Sequence, residues 1–363
     1  MARPFVSVLI DTYNHERFIE EAVASVLGQD FPASDREILV VDDGSTDKTQ
    51  EILQSFEPHL RILRKVNGGQ ASAFNQGIPE CRGEVIAFLD GDDWWLPGKL
   101  SCVAGLMAKD ASLGVIGHAI VQVSENGSQQ AIGLSSQVRF RLDSVPSAEF
   151  FRLNRCYLGT SRLTLRSEVA RRILPVPEAL VFEADEYLFT LAPVLADTLI
   201  SPNPLTCYRL HGANLFMASG ASREGGRRKQ RILAALASEL RLALARYGAP
   251  ADVASVLLEM VDLEATQLRL QFEGGSPWET FRTEIDIYRI QHAAAPRTSK
   301  VFRALSMIPA LLLPPRLFYI GRRWLGSQSW YRRARRDLIP FPQMVKPSVS
   351  STCRASDKKL NVF

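Results

Sequence analysis

Short apolar runs alternate with helical patterns along the first hundred residues of this chain. Runs rich in β-branched residues predict buried strands, whereas apolar positions three or four residues apart predict helices that pack one face on a sheet. The predicted strands are Phe5–Ile10, Glu37–Val41, Leu60–Leu63 and Val85–Leu89. The predicted helices cover residues 17–29, the stretch around 52–56, and residues 70–78. This alternation predicts an α/β fold with a mostly parallel sheet flanked by helices.

After residue 95 the pattern is less regular. We predict a helix at 96–109, a strand at 114–123 with a hairpin turn at 125–127, an irregular stretch at 135–160, a short strand at 159–165 and a helix at 186–195. Apolar positions then recur at helical spacing from 227 to 271, and a Gly-Ala-Pro break at 248–250 splits them into a helix pair. We expect this pair to pack on the body or to form a contact between copies, and residues 274–277 to be a linker.

Carboxylates follow three of the predicted strands at the points where the strands end. They are Asp11, Asp42, Asp43, Asp90, Asp92 and Asp93. Because the carboxyl ends of parallel strands meet at one edge of a sheet, these side chains should share one rim. Clustered acids repel each other unless a cation is present, and carboxylates suit Mg²⁺ or Mn²⁺. The alternative for residues 90–93 is a solvated Asp-Gly-Asp turn.

Two common phosphate-binding motifs are missing from the sequence. No G-x-G-x-x-G follows the first predicted strand, and no G-x-x-x-x-G-K-[ST] occurs in the chain. Their absence argues against a dinucleotide oxidoreductase and a P-loop NTPase. An acidic rim without a glycine-rich phosphate loop must neutralise phosphate in another way, most simply with a bound metal.

The composition is that of an ordinary soluble protein, with 46% hydrophobic and 23% charged residues. The five cysteines are scattered and form no Cys-x-x-Cys pair. This usage indicates a reducing compartment and neither a disulfide framework nor a zinc site. The sequence shows no secretory signal and no run of 18 apolar residues, so we expect a cytoplasmic protein.

The net charge of +4 hides an asymmetry along the chain, because residues 301–363 carry +10 and residues 1–300 carry −6. An acidic body is not the footprint of a nucleic-acid-binding protein, so we expect no nucleic-acid partner. The tail joins an interrupted apolar run at 301–320 to aromatic residues that alternate with arginine at 321–336. This pattern predicts a peripheral segment on an anionic membrane surface, the alternative being a helix docked on the body with a solvated basic face. Residues 340–363 are predicted to be disordered.

Four stretches in succession carry a resemblance to a known family. The chain resembles family 2 glycosyltransferases of the GT-A fold in VSVLIDTYNHERFIEEAVASVLGQDF, EILVVDDGSTDKT, NGGQASAFNQGI and GEVIAFLDGDDWWLPGKL. These motifs cover roughly residues 5–100 in the order of the family. The resemblance implies a nucleotide-sugar donor, an inverting transfer and a divalent metal.

The resemblance also implies roles for individual residues of the donor site. The residues implied to bind the donor are Thr12, Tyr13, Asn14, Asp43, Gly69, Asn75 and Asp90. Among them, Thr12 and Tyr13 would line the base pocket, and Asp43 would bind the base, which we expect to be uracil. Asp90 would face the ribose, and Asp92 and Asp93 would hold the metal. Two positions depart from the family, since Asp11 replaces the usual Pro and Phe74 replaces a common Arg.

Two later segments carry further candidates. Asp185 lies in a segment that resembles the acidic signature of the family, and it is our candidate general base, with Glu186 and Glu183 in reserve. The alternative is that these are helix N-terminal acids that favour the macrodipole. His211 is a candidate metal ligand or diphosphate contact, and Arg209 a candidate donor-binding residue.

Taken together, these features predict a metal-dependent inverting glycosyltransferase that moves a sugar from a UDP-sugar to a lipid-linked or surface-glycan acceptor. Processive members of the family carry Gln-x-x-Arg-Trp, whereas Ile320 stands three residues before Arg323-Trp324, so we expect a single transfer per encounter. We divide the chain into a donor half (1–115), an acceptor half (116–220), a helical appendage (221–295) and a tail (296–363). The alternatives are a nucleotidyltransferase and a non-catalytic sugar-nucleotide-binding or scaffold protein.

Overall fold

A computed structural model describes residues 5–212, 222–292 and 305–328. The strands in these residues are β1 (Val6–Thr12), β2 (Arg36–Asp42), β3 (Arg61–Arg64), β4 (Val85–Asp90), β5 (Trp94–Trp95), β6 (Leu113–Ser124), β7 (Gln129–Ile132), β8 (Val138–Phe140), β9 (Thr164–Arg166) and β10 (Asp197–Leu210). The α-helices of the body are α1 (Ile19–Leu27), α2 (Thr49–Gln54), α3 (Gln70–Glu80), α4 (Lys99–Lys109), α5 (Val145–Asn154), α6 (Ser167–Ile173) and α7 (Ala184–Leu195). Those that follow are α8 (Arg223–Arg246), α9 (Ala251–Phe272), α10 (Pro277–Gln291), α11 (Pro309–Leu312) and α12 (Pro315–Ser327).

The described strands form one mixed sheet with the order β3-β2-β1-β4-β9-β6-β10-β5. Two further strands lie off this path, since β7 pairs with β6 and β8 pairs with β10. Strands β3, β2, β1 and β4 run parallel, as do β6 and β10, while β9 runs antiparallel between β4 and β6. The predicted α/β class with a mostly parallel sheet is confirmed. The first four strands also lie where the sequence predicts them, to within two residues at each end.

The register of the central strands brings the strand-end carboxylates to one rim. Asp11 of β1 lies beside Asp90 of β4, and Thr12 lies beside Asp42 of β2. These pairs are adjacent because the parallel strands end at the same level of the sheet. The rim predicted from the sequence therefore exists.

Both faces of the sheet are covered, which explains why its strands are apolar without alternation. Leu9 of β1 and Phe88 of β4 pack in one cluster with helices α3 and α7, while Ile10 and Leu89 pack on the opposite face against α1 and α4. Residues of α8 and α9 belong to the same cluster as α7. The helix pair is therefore continuous with the core of the body.

Three predictions for the middle and end of the chain are wrong in part. The stretch predicted to be irregular contains α5, which begins with a capping box at Ser144 and packs Phe151 inward. The strand predicted at 159–165 is mostly a 3₁₀ turn (Thr160–Arg162), followed by the three-residue β9. The linker predicted at 274–277 leads into α10, whose first turn is capped by the Ser276 hydroxyl. The break at 248–250 is confirmed, with Gly248 in the left-handed region at φ 74°.

The tail is described only for residues 305–328. There α11 and α12 pack Met307, Ala310, Phe318 and Tyr319 against α9 and α10. Over the described ranges, none of the helices has the length and apolar character needed to cross a bilayer. The disorder predicted for 340–363 and the basic-aromatic stretch at 330–336 lie outside the described residues.

Candidate active site

A carboxylate cluster lies at the turn between β4 and β5. Asp90, Asp92 and Asp93 each offer an oxygen, and these oxygens lie within 4.8 Å of one another. The turn packs tightly on β1, because a Cβ at Gly91 would lie 2.6 Å from the Thr12 hydroxyl oxygen. Glycine at this position therefore lets the acidic turn approach the end of the first strand.

The three carboxylates differ in their electrostatic surroundings. Burial, with the charges of Asp11 and Asp92, raises the pKa of Asp90 well above its usual value. Burial and the charge of Asp92 raise the pKa of Asp93 to about 7. Burial acts in the same direction on Asp92, but the hydrogen bond with His211 and the charges of His15 and His211 together outweigh it and lower the pKa of Asp92. The cluster is thus a site in which negative charge accumulates without sufficient compensation from the protein.

The cluster fits a divalent metal. Oδ2 of Asp93 and Oδ1 of Asp11 are buried and have no hydrogen-bond partner. A buried carboxylate oxygen without a donor is costly, and a hard cation is the partner that carboxylate oxygens favour. Asp90, Asp92 and Asp93 are therefore the residues that would hold Mg²⁺ or Mn²⁺.

Strand β10 brings Arg209 and His211 to the same turn. His211 Nε2 lies 2.9 Å from Asp92 Oδ2, and the His211 ring packs on Phe18 at 4.6 Å between centroids. The backbone N–H of Arg209 donates to Asp93 Oδ1 at 2.9 Å, while its guanidinium donates to Asp92 O and pairs with Glu21. The structure therefore places both sequence-predicted residues beside the acidic turn.

The loop after β2 is organised by Asp43. Its carboxylate pairs with Lys65 at 2.5 Å and accepts backbone N–H groups from Gly68 and Gly69. Gly69 has φ +84°, and a Cβ there would lie 2.6 Å from the backbone of Val181, so the position requires glycine. Asp43 thereby joins β2 to the first turn of α3.

The turn after β1 carries three of the candidate donor-binding residues. Tyr13 is exposed at the rim, whereas Thr12 is buried and its hydroxyl lies 3.1 Å from His15 Nδ1. Asn14, at φ 55°, accepts the backbone N–H of Thr46 at 2.8 Å. His15 is half-buried, and burial lowers its pKa.

Asn75 and Phe74 have contacts away from the acidic turn. The Asn75 amide donates to Val176 O at 2.8 Å and its carbonyl accepts Val176 N–H at 2.7 Å. Phe74 is fully buried and packs edge-to-face on Phe88. The position where the family often has Arg is therefore a core position in this chain, and Asn75 anchors the segment before α7.

Asp185 reaches the rim through a 3₁₀ turn that the sequence did not identify. Its Oδ2 accepts the backbone N–H of Thr160 at 3.0 Å and the Thr160 hydroxyl at 3.1 Å. The next residue, Ser161, donates its hydroxyl to Asp90 Oδ2 at 3.1 Å. Two consecutive residues therefore hold the candidate base and the first carboxylate of the cluster. A Thr-Ser pair carries no motif by itself, so only the fold reveals this link.

Glu183 and Glu186 have structural partners. Glu186 is buried and pairs with Arg155, which also pairs with Glu264 of α9. Burial opposes the charge on Arg155, yet the two glutamates raise its pKa. Glu183 lies 3.3 Å from Lys229 of α8. The two reserve candidates thus tie the segment around Asp185 to the appended helices.

The fold is that of GT-A glycosyltransferases. Structures of S. aureus TarS are similar over 89% of this chain and 92% of theirs, with a TM-score of 0.54 and 19% identity. Mannosyltransferase PcManGT from Pyrobaculum calidifontis, in complex with GDP-Man and Mn²⁺, is similar over 92% of this chain and 84% of its own, with a TM-score of 0.52 and 19% identity. At this identity the likeness establishes the fold.

The sequence comparisons establish the family. The model for Glycosyl transferase family 2 matches residues 7–163. An uncharacterized glycosyltransferase of Nostoc sp. is 31% identical over 224 residues, which are 60% of this chain and 68% of that protein. Glycosyltransferase AglE of Haloferax volcanii is 31% identical over 50% of this chain and 59% of its own. The chain belongs to glycosyl transferase family 2, as its motifs indicate, and it is an enzyme of this class.

Proposed function

We propose that this enzyme moves a sugar from a UDP-sugar to a hydroxyl of a glycan or lipid-linked acceptor, with inversion and with Mg²⁺ or Mn²⁺. The observation that carries the proposal is the Thr160–Ser161 turn, which holds Asp185 and Asp90 side by side. A base for the acceptor and a cluster for the donor diphosphate must lie close together for direct transfer. Neither the nucleotidyltransferase nor the scaffold alternative is favoured by the family to which the chain belongs.

The donor side rests on the turn after β1 and the loop after β2. Exposed Tyr13 offers an aromatic face to a base, and Asp43 lies at the adjacent strand end. Nucleotide sugars occupy two proteins of similar fold, UDP-GlcNAc in S. aureus TarS and GDP-Man in PcManGT. We favour UDP because the resemblance assigns uracil recognition to the position of Asp43.

On the chemical side, Asp185 removes the proton of the acceptor hydroxyl while its oxygen attacks the anomeric carbon. The bond between that carbon and the diphosphate oxygen breaks, and the nucleoside diphosphate leaves with the electron pair. Thr160 and the Glu186 N–H hold the carboxylate of Asp185 in one orientation. A metal on Asp90, Asp92 and Asp93 would supply positive charge to the leaving diphosphate.

The acceptor class is suggested by relatives. A putative teichuronic acid biosynthesis glycosyltransferase of Bacillus subtilis is 42% identical over 27% of this chain, and chondroitin synthase of Pasteurella multocida is 33% identical over 41%. Both names refer to polysaccharides, which supports a glycan acceptor here and a role in polysaccharide biosynthesis. A single transfer per encounter, a cytoplasmic location and contact between copies stay predictions.

A thermal-shift screen tests the donor and metal together. We expect a UDP-sugar to raise the melting temperature more in Mn²⁺ than in EDTA, because a ligand of the folded form stabilises it. GDP- and dTDP-sugars serve as comparison ligands. Absence of a metal-dependent shift with every sugar nucleotide would contradict the proposal.

Replacement of the base separates binding from chemistry. Asp185→Asn should keep the donor-induced shift and lower the rate of transfer about 10²–10⁴-fold, the usual contribution of a general base. Asp262→Asn, at an ion-paired carboxylate on α9, is the matched control and should retain the rate. Unchanged turnover in Asp185→Asn would exclude this residue as the base.

A further inference from the structure

The segment at 305–328 exposes an unusual amount of apolar surface. Large exposed apolar side chains in this segment are Leu305, Ile308, Leu311, Leu312, Leu313, Leu317, Ile320 and Trp324. The rest of the described chain, more than ten times as long, exposes five such side chains. Exposed apolar side chains concentrated in so short a segment point to an interaction site.

Helix α12 has two apolar faces that point in opposite directions. Phe318 and Tyr319 are buried against α9 and α10. Leu317, Ile320 and Trp324 are 55%, 60% and 61% exposed. At about 100° per residue, these three lie within roughly 60° of one another and on the side opposite the buried pair. Docking on the body therefore leaves a second apolar stripe directed outward.

Polar contacts fix this orientation. Arg322 pairs with the buried Glu284 of α10, and the Arg316 guanidinium donates to Glu273 O at 2.7 Å. Tyr319 is buried on the same side, beside Glu284. The helix is thus held on the body from one side, and rotation to hide the outward stripe would break these contacts. The alternative predicted for the tail, a docked helix with a solvated basic face, accounts for only one of its two faces.

The charges around the stripe favour lipid over protein. Within the described residues 305–328 there are three arginines and no acidic residue. Arg316 and Arg323 lie along one edge of the stripe, at the helical spacing of seven residues. An apolar stripe bordered by arginine, with a tryptophan near its end, is the arrangement by which helices lie in the interface of an anionic bilayer.

We propose that the outward face of α12, defined by Leu317, Ile320 and Trp324, docks on an anionic membrane surface. The apolar side chains enter the boundary between head groups and acyl chains, and Arg323 contacts the lipid phosphates. The membrane then holds the enzyme where a lipid-linked acceptor would be found. This docking is independent of donor and acceptor binding, so its test does not depend on the proposed transferase chemistry.

Vesicle flotation of the full chain tests the proposal. We expect the protein to float with vesicles that contain phosphatidylglycerol and to bind pure phosphatidylcholine vesicles at least about tenfold less, with affinity that falls as salt rises. Leu317→Gln/Ile320→Gln should lower vesicle affinity roughly tenfold or more, because two aliphatic side chains that enter the bilayer are replaced by polar ones. Arg323→Glu should lower it severalfold on anionic vesicles.

Matched controls distinguish docking through this face from a folding defect and from non-specific hydrophobic binding. Leu153→Gln/Leu242→Gln changes two aliphatic side chains of similar exposure, 50% and 66%, on α5 and α8. This variant should bind vesicles like the parent, and both double variants should keep the parent melting temperature. Equal binding by both double variants, or no binding by the parent, would overturn the proposal. If Leu317→Gln/Ile320→Gln instead abolishes a dimer in sedimentation while vesicle binding is absent, the face belongs to a second copy and the proposal fails.

Discussion

Replacing Asp93 by Asn should stabilise the metal-free enzyme while weakening its response to metal. Asp93 is 1% exposed, and its Oδ1 accepts the Arg209 N–H at 2.9 Å while Oδ2 has no hydrogen-bond partner. An Asn side chain keeps an acceptor for Arg209 and removes the charge. The substitution therefore relieves the repulsion in the cluster and removes one oxygen from the metal site.

The size of the effect follows from the pKa of Asp93, which burial raises from 3.8 to about 7. A raised folded pKa means that the folded state binds the proton more tightly, so stability present below about pH 4 is lost as the pH rises towards 7. Three pKa units correspond to at most ~4 kcal/mol above pH 7. Because Asp90 and Asp92 share the repulsion, we expect about 2–4 kcal/mol, which is a rise of roughly 3–5 °C in melting temperature at pH 8 for a chain of 363 residues.

Calorimetry of the parent and Asp93→Asn in EDTA and in Mn²⁺, at pH 5 and pH 8, measures both effects. The variant should gain stability in EDTA at pH 8, gain little at pH 5, and rise less than the parent on adding Mn²⁺. Asp47→Asn is the control, and it should lower the melting temperature at pH 8 instead of raising it. The reason is that hydrogen bonds from Thr49 and Glu16 outweigh the burial of Asp47 and lower its pKa. A lower melting temperature for Asp93→Asn in EDTA at pH 8, or an undiminished Mn²⁺ shift, would refute the reasoning.

Three further predictions concern the groups that support the site. Ser161→Ala removes the hydroxyl bonded to Asp90 and should lower the transfer rate with little change in melting temperature, measured against Ser101→Ala as a surface control. Arg155→Met leaves buried Glu186 unpaired and should cost about 3–5 kcal/mol in denaturant unfolding, and adding Glu186→Gln should recover part of this loss. Burial lowers the pKa of Lys99 well below its usual value, so protonation of Lys99 destabilises the folded parent as the pH falls. The neutral variant Lys99→Met should therefore gain stability relative to the parent as the pH falls from 9 to 6. A difference in unfolding free energy that stays constant between pH 6 and pH 9 would show that the charge is tolerated.

The sequence predicts the donor half well because its signals are local. Each of the first four strands is an apolar run, and Asp90 is placed by the end of such a run together with the parallel register. Carboxylates that follow parallel strands must meet at one rim, whatever the rest of the chain does. Local patterns therefore suffice for the acidic cluster.

The acceptor half depends on contacts between distant residues. Thr160 meets Asp185 across 25 positions, and Ser161 meets Asp90 across 71. Helix α5 is only weakly amphipathic by pattern and is held by packing of Phe151 on Phe189. Phe74, which replaces a common Arg of the family, is buried in the core, and the sequence alone does not reveal this burial. These outcomes are set by tertiary packing, which a pattern read along the chain does not contain.

The charge distribution at the rim argues for the metal independently of any relative. Beyond the effect of burial, the charges of neighbouring carboxylates raise the pKa of Asp90 and of Asp11, and Asp92 and Asp185 contribute to both shifts. Two of the nearby cations are already engaged, since Arg209 pairs with Glu21 and Lys65 with Asp43. A nucleotide diphosphate brings further negative charge into this rim, so its binding is unfavourable unless a cation enters with it. With Asp11 in place of the family's Pro, the rim gains a carboxylate, whereas Phe74, in place of its Arg, lies in the core and supplies no cation. Donor affinity in this enzyme should therefore depend steeply on the divalent metal, more than on any single basic side chain.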